Sequence, residues 1–178
     1  MEIKRYRKVD LVMVNVTFKG NPVTLVGEQL EVGDEAPNFK VINTELEERT
    51  LSDYEGKIKL ISVVPSVDTG VCALQTKRFN EEADKLENVQ TLTISMDLPF
   101  AQARWCSAEG VKNLDMLSDH READFGKKYG VLMEELRLLA RSIFVVNEDN
   151  KITYVEYVPE VGNHPDYEAV LQHIRTEY

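Results

Sequence analysis

A short, nearly continuous apolar run lies in the middle of the chain, KIKLISVVPS at residues 57–66. A run of this length without alternation is typical of a strand that is buried on both faces. VQTLTISMD, residues 89–97, is interpreted as a second buried strand. Between them, residues 71–85 place Leu74, Phe79 and Ala83 on one side of a helix. We therefore predict a strand, a helix and a second strand over this region.

The second half of the chain predicts three helices and a hairpin. LPFAQARWCSAEG, residues 98–110, has Pro99 near its start and Gly110 as its stop, and READFGKKYGV, residues 121–131, ends at Gly130. RSIFVVNEDNKITYVEYV, residues 141–158, predicts two strands that turn at residues 148–150. HPDYEAVLQHIRTEY, residues 164–178, predicts a terminal amphipathic helix with three core positions, Ala169, Val170 and Ile174.

The N-terminal part is predicted to be β-structured. VNVTFKGNPVTLVG, residues 14–27, has two β-rich runs around Gly20, Asn21 and Pro22, and this pattern predicts a hairpin. A polar, turn-rich segment follows, with one short strand at residues 39–42. No repeat or linker interrupts the chain. The alternation of strands and helices indicates an α/β fold, with a central mixed sheet flanked by helices, in a single domain over residues 1–178.

Charge and length narrow the possible partners. The chain has 178 residues and a net charge of −10, which disfavours a nucleic acid or an anionic membrane surface. No apolar run approaches the roughly 20 residues of a membrane span. The basic start of the chain leads into a short apolar stretch interrupted by Asp10 and Asn15, so we expect no secretory signal and a cytoplasmic protein. Only two cysteines are present, too few for the disulfide framework of a small secreted domain.

Cys72 is the first candidate for chemistry. It lies where the predicted strand ending near Pro65 turns into the predicted helix. Unpaired backbone N–H groups and the positive end of the helix dipole favour a thiolate in the first helical turn. Thr69, three residues earlier, can offer a hydroxyl hydrogen bond to the thiolate or to a ligand, and Pro65 stiffens the turn. The competing interpretation is a small buried side chain, which free cysteine often is.

Two further residues gain interest only in combination with Cys72. Cys106 lies in a predicted helix directly after Trp105 and six residues after Phe100, and both aromatic residues are expected to pack. A second thiol can condense with a sulfenic acid formed on the first and so prevent over-oxidation. If the thiols lie on different helices, local unwinding must bring them together. Arg141 precedes a predicted strand; it is either a solvated surface residue or a fixed positive charge beside Cys72.

Four other functions compete with the hypothesis that Cys72 is a reactive thiol. Asp68-Thr69-Gly70 matches the signature of dimeric aspartic proteases, but those require an all-β fold. The three histidines, His120, His164 and His173, are interpreted as surface residues and have no zinc-ligand spacing. A thioredoxin-type oxidoreductase needs Cys-x-x-Cys, and the residue three before Cys72 is a threonine. A non-enzymatic redox sensor that switches a partner through a disulfide stays open.

The chain resembles the peroxiredoxins, and among them the bacterial thiol peroxidases. PSVDTGVC, residues 65–72, fits the pattern of proline, then threonine or serine, then cysteine at the head of a helix. DLPFAQARWC, residues 97–106, is the most specific match, because that branch carries its second cysteine there. KRFNEEA, LSDHREADFGKKYGV and PDYEAVL also match, so the resemblance extends from about Val16 to the C-terminus.

The resemblance implies a thioredoxin-like fold with an N-terminal β-hairpin. It also implies a role for each matched residue: Cys72 as the peroxidatic cysteine, Pro65 as its shield, Thr69 as a hydroxyl at the site, Arg141 as the active-site arginine and Cys106 as the resolving cysteine. The implied cycle reduces a hydroperoxide, forms an intramolecular disulfide and is completed by thioredoxin. No metal, haem or flavin is implied, and such proteins are typically homodimers.

Two segments depart from the family pattern. Residues 1–11 are not covered by it, and this extension is either disordered or reflects an upstream start. MEELRLLARS, residues 133–142, replaces a small, glycine-containing loop that this branch often has. The second departure concerns the shape of the substrate mouth and leaves the core chemistry unchanged.

Overall fold

The protein is built from twelve strands and four helices within the residues that the computed structural model describes, 14–83 and 85–178. The strands are β1 (Thr17–Phe18), β2 (Asn21–Pro22), β3 (Leu25–Val26), β4 (Lys40–Asn43), β5 (Glu48–Thr50), β6 (Ile58–Val63), β7 (Val89–Ser95), β8 (Asp115–Ser118), β9 (Leu132–Met133), β10 (Leu138–Leu139), β11 (Ser142–Val146) and β12 (Ile152–Tyr157). The helices are α1 (Gly70–Ala83), α2 (Pro99–Glu109), α3 (Asp124–Lys128) and α4 (Tyr167–Glu177), with a 3₁₀ turn at Leu51–Tyr54.

A seven-stranded mixed sheet organises the fold. Its strand order is β12-β11-β6-β7-β8-β4-β5. The central pairs β6–β7 and β7–β8 are parallel, whereas the outer pairs are antiparallel. Parallel neighbours require a crossover, and α1 and α2 supply it between β6 and β7 and between β7 and β8. This α/β arrangement, with helices packed on the sheet, confirms the predicted fold class.

The two faces of the sheet carry different cores. Ile58 and Leu60 of β6 pack with Phe79 of α1 and with the buried side of α4. Ile61 and Val63, which point the other way along the same strand, join an aromatic cluster that contains Phe39, Phe125, Tyr129, Phe144 and Tyr157. Because β6 is buried on both faces along its whole length, its sequence is nearly continuously apolar.

The N-terminal hairpin exists, but its turn lies one residue earlier than predicted. Lys19 and Gly20 have φ values of 50° and 78°, the left-handed region that tight two-residue turns need. Asn21 and Pro22 form β2 instead and pair with Phe18 and Thr17. The predicted extension over residues 1–11 lies outside the described residues.

Most long elements were predicted, whereas several short strands were missed. The six segments predicted as strands or helices from residue 57 to 110 and from 141 to 178 are present within a few residues of their predicted ends. Strand β8, Asp115–Ser118, was missed. The three-stranded sheet β10-β9-β3 was also missed, since its members have two residues each.

The predicted buried face of α1 is partly wrong. Phe79 is buried as expected, but Leu74 is 56 % exposed. The residues that α1 buries are Cys72, Gln75, Thr76, Phe79 and Glu82. Their spacing is helical, but most of them are polar, so a search for apolar residues alone misplaces the face. Phe100 of α2 is likewise 69 % exposed, which contradicts the prediction that it packs.

No helix among residues 14–83 and 85–178 has the length and apolar character needed to cross a membrane.

The orientation of α1 predicts unequal effects of two truncations on the same helix. We expect Phe79→Ala to lower the free energy of unfolding by about 3–5 kcal/mol, because it leaves a cavity in a fully buried cluster. Leu74→Ala is the matched control and should change it by less than about 0.5 kcal/mol, because that side chain is already in solvent. Urea unfolding followed by circular dichroism measures both values, and equal losses would contradict this orientation.

Candidate active site

Cys72 is the third residue of α1 and is 0 % exposed. The preceding connection is compact: Thr69 N donates to Ser66 O at 3.4 Å, and Ala73 N donates to Thr69 O at 2.9 Å. This turn connects the end of β6 directly to the start of α1. The cysteine therefore lies at the carboxyl end of a central parallel strand, where α/β folds place their sites.

A buried arginine contacts the Cys72 sulfur. Arg141 lies one residue before β11, is 2 % exposed, and donates from Nη2 to Cys72 Sγ at 3.2 Å. Its Nη1 donates to Gln75 Oε1 at 2.8 Å, and its Nε donates to Val161 O at 2.8 Å. The other two acceptors are a neutral amide and a backbone carbonyl. Cys72 is therefore the one of these three partners that can carry a negative charge.

Gln75 fixes the position of the guanidinium. It lies one helical turn after Cys72, and its Nε2 donates to Ser62 Oγ at 2.7 Å, which leaves Oε1 to accept from Arg141. Gln75 and Ser62 are fully buried. The sequence interpretation missed both residues. A serine in the middle of a buried strand, and a glutamine on the cysteine face of a helix, are the signals that could have indicated them.

Pro65 and Thr69 lie in different environments within the connection. Pro65 is buried beside the end of β6, whereas Thr69 is exposed at the start of α1. The Thr69 hydroxyl donates to Ser66 O at 3.3 Å and is not bonded to the Cys72 sulfur. Its predicted role as a hydrogen-bonding group for a bound ligand stays a prediction.

Cys106 has a different environment from Cys72. It lies in the third turn of α2 and packs beside a small apolar cluster of Val67, Trp105, Val111, Leu114 and Met116. Burial raises the pKa of the Cys106 thiol to about 11, so this thiol is protonated at neutral pH. Both cysteines are free.

One side of Cys106 faces an open groove of about 430 Å³. The groove lies between α2, β8 and the β4–β5 hairpin, and its lining includes Arg49, Lys112 and Asp115. Cys106 is therefore reachable from solvent in the conformation where Cys72 is covered.

The three histidines are apart from this site. His164 is exposed and its Nδ1 lies 2.8 Å from Tyr167 Oη. His120 and His173 are partly buried, so their prediction as surface residues is only partly correct, and His173 Nε2 lies 3.0 Å from Thr153 Oγ1. Within the part of the chain that the structure describes, no three His, Cys, Asp or Glu side chains form a group that could hold a metal ion.

Helix α4 packs against the C-terminal half of α1. The Tyr167 ring lies edge-on to Phe79, with 5.6 Å between ring centroids, and the Arg78 guanidinium lies 5.7 Å from the Tyr167 centroid. Burial raises the pKa of Tyr167, the nearby Arg141 and Arg78 charges oppose this shift, and the Cys72 sulfur adds to it. The terminal helix is thus part of the electrostatic surroundings of the cysteine.

The chain matches known proteins over most of its length. Residues 31–171 match the Redoxin family. A thiol peroxidase from Oceanobacillus iheyensis is 68 % identical over 162 residues, which cover 91 % of this chain and 99 % of that protein. A thiol peroxidase from Bacillus subtilis is 58 % identical and covers 90 % of this chain and 96 % of its own length. The crystal structure of a peroxiredoxin-like protein from Aquifex aeolicus superposes with a TM-score of 0.87 at 40 % identity, covering 92 % of this chain and 97 % of that one.

The fold and these relatives decide between the alternatives. The aspartic protease interpretation is wrong, because Asp68 leads into α1 of an α/β fold. The relatives are named as peroxidases, which favours an enzyme over a non-enzymatic sensor. With the match over residues 31–171 and identities of 58–68 % to these relatives, the chain belongs to the Redoxin family and, within it, to the bacterial thiol peroxidases.

Proposed function

We propose that this protein reduces hydrogen peroxide and organic hydroperoxides with Cys72 as the peroxidatic thiolate. The observation that carries the proposal is the hydrogen bond from the buried Arg141 guanidinium to Cys72 Sγ. A buried cation without a compensating charge is costly, so this contact favours the anionic form of the sulfur. The thiolate is the nucleophilic form of cysteine.

In the first step the Cys72 thiolate attacks the terminal oxygen of the hydroperoxide. A sulfur–oxygen bond forms, the oxygen–oxygen bond breaks, and the products are a Cys72 sulfenic acid and an alcohol or water once the leaving oxygen has taken up a proton. Negative charge moves from sulfur to oxygen during this step. The Arg141 N–H groups and the first-turn amides of α1 are positioned to stabilise that charge, and the exposed Thr69 hydroxyl is available to the bound peroxide.

In the second step Cys106 resolves the sulfenic acid. The Cys106 sulfur attacks the Cys72 sulfur, the sulfenic hydroxyl leaves with the thiol proton as water, and an intramolecular disulfide forms. Disulfide geometry needs Cα atoms within about 7 Å of each other. Because Cys72 is covered and held by Arg141 while Cys106 lies on another helix, at least one of the two helices must unwind locally.

In the third step a thioredoxin dithiol reduces the Cys72–Cys106 disulfide by two thiol–disulfide exchanges and becomes a disulfide itself. We place this cycle in the cytoplasm, where such dithiols are kept reduced. We also propose a homodimer, as the family resemblance implies. The exposed apolar residues Leu98 and Phe100, at the start of α2, support an association surface there.

The roles proposed for the two cysteines predict that their serine variants consume peroxide differently. Cys72→Ser should abolish peroxide consumption, because the remaining thiol, Cys106, has a pKa of about 11 and is protonated at neutral pH. Cys106→Ser should consume one equivalent of peroxide and then stop, because it cannot form the disulfide. NADPH oxidation with thioredoxin and thioredoxin reductase, combined with intact-mass measurement, distinguishes the two. Continued turnover by Cys72→Ser would refute the assignment.

The hydrogen bonds of Arg141 predict that the rate of the reaction of Cys72 with peroxide depends on the shape of this side chain as well as on its charge. We expect Arg141→Lys to slow the reaction of Cys72 with peroxide by about 100-fold, because a lysine keeps the charge but cannot bind Gln75, Val161 and the sulfur together. Arg137→Lys is the matched control, since among the described residues the Arg137 guanidinium donates only to His120 O, at 3.5 Å. Stopped-flow competition with a second peroxidase measures the rate constants, and equal rates for both variants would contradict the proposed role.

The burial of Cys106 predicts how the rate of its alkylation depends on pH. In Cys72→Ser, the rate of Cys106 alkylation by iodoacetamide should rise about tenfold per pH unit from pH 7 to 10, because the thiolate fraction grows until the pKa of about 11 is reached. Alkylation rates measured by mass spectrometry across this range test the prediction. A plateau already at about pH 9 would show an unshifted thiol.

A further inference from the structure

The carboxylate of Asp97 joins the two segments that precede the cysteine-bearing helices. Asp97 lies between β7 and α2. Its Oδ1 accepts from Ser66 Oγ at 2.7 Å, and its Oδ2 accepts from Val67 N at 2.9 Å and from Ser95 Oγ at 2.7 Å. Ser66 and Val67 belong to the connection that leads into α1. One charged group thus holds the chain before Cys72 to the chain before Cys106.

The Asp97 end of this link is anchored in the sheet. Ser118 Oγ of β8 donates to Asp97 O, and Gln102 Nε2 of α2 donates both to Ser95 Oγ at 3.1 Å and to Leu117 O at 2.9 Å. Ser95, Gln102 and Ser118 are fully buried. The carboxylate is therefore fixed relative to β7, β8 and α2, and the segment that it can release is the connection at residues 66–69.

The first two turns of α1 have little apolar burial of their own. Their buried side chains are Cys72, Gln75 and Thr76, and the neighbouring strand positions include Ser62 and Thr93, which pair in the β6–β7 register. Among the described residues, the buried hydroxyls of Thr91 and Thr93 have no hydrogen-bond partner. Water can hydrate such an interface at a lower cost than an apolar one. Val67 of the connection and Ala73 pack on the apolar cluster around Trp105, and specific polar bonds supply the remaining contacts that hold this part of the helix closed.

We propose that Asp97 is a positioning residue that sets the balance between the peroxide-reactive conformation and the opening that allows disulfide formation. The proposal rests on the proposed function of Cys72 and Cys106. While Asp97 holds Ser66 and Val67, the first turn of α1 keeps Cys72 against Arg141. When these bonds break, the turn can leave Arg141 and present the Cys72 sulfenic acid to Cys106.

This balance decides the fate of the sulfenic acid. A closed site keeps it available to a second peroxide molecule, which transfers one oxygen to give the sulfinic acid and water. An open site gives the disulfide and water instead. A weaker hold by Asp97 should therefore favour the disulfide over the sulfinic acid.

The test is the ratio of sulfinic acid to disulfide after a pulse of hydrogen peroxide, measured by quench-flow and intact mass. We expect Asp97→Asn to lower this ratio by about tenfold, because an amide cannot replace all three acceptor bonds of the carboxylate. Ser66→Ala, which removes one donor and keeps the sheet anchor, should lower it by about threefold. The second variant keeps the proposal testable if the first does not fold.

Two control variants separate positioning from general destabilisation. Asp68→Asn removes a neighbouring exposed carboxylate whose nearest ion-pair contact, to Arg104, is 3.9 Å, and it should leave the ratio unchanged. Val170→Ala truncates the buried side of α4; it should lower the urea midpoint and leave the ratio unchanged. A ratio that falls equally in Val170→Ala would overturn the positioning role, since that change does not touch the connection.

Failure of this inference is distinguishable from failure of the proposed function. If the wild-type protein forms no Cys72–Cys106 disulfide under peroxide, the proposed function fails and the role of Asp97 fails with it. If the wild type forms the disulfide and Asp97→Asn or Ser66→Ala shows an unchanged or higher ratio, only the role of Asp97 is overturned.

Discussion

The hydrogen bond between Arg141 and Cys72 joins parts of the chain that are 69 residues apart and ties the strand order to the chemistry. The arginine can reach the sulfur because β11 lies directly beside β6, the strand that leads to α1. A guanidinium buried to this extent needs hydrogen-bond acceptors for its N–H groups and a negative charge that compensates its own. Gln75 Oε1 and Val161 O accept hydrogen bonds that orient the guanidinium, and the sulfur is the partner that can carry the compensating negative charge. The residues around the site are thus arranged to provide the acceptors and the charge partner of the buried Arg141 guanidinium.

That requirement explains why α1 is polar on its buried face. A helix packed on a sheet normally buries an apolar stripe, whereas the one large apolar side chain that α1 buries is Phe79, which packs with α4. Its first two turns instead present Cys72 and Gln75 to Arg141 and Ser62. The helix is therefore anchored by packing at its C-terminal half and by hydrogen bonds at its N-terminal half. Such a division allows the first turns to open while the rest of the helix stays in place.

The sequence alone predicted the long elements and the position of Cys72, because apolar runs and the strand-to-helix junction are local signals. It could not place Arg141 beside the sulfur, since that proximity depends on which strands are neighbours in the sheet; only the family resemblance implied it. Gln75 and Ser62 were missed because the search for a core favours apolar residues. The same bias placed Leu74 and Phe100 in the core, although both are exposed.

The two cysteines lie in different environments, and this difference orders the proposed cycle. Arg141 donates a hydrogen bond to the Cys72 sulfur, whereas burial raises the pKa of Cys106 to about 11. At neutral pH roughly one Cys106 in 10⁴ is ionised, so peroxide in solution has little thiolate to attack there. Cys106 becomes a competitive nucleophile only when a sulfenic acid is brought next to it, where proximity compensates for the small thiolate fraction. In the proposed cycle, local opening of α1 is then the step that couples the oxidation of Cys72 to the reactivity of Cys106.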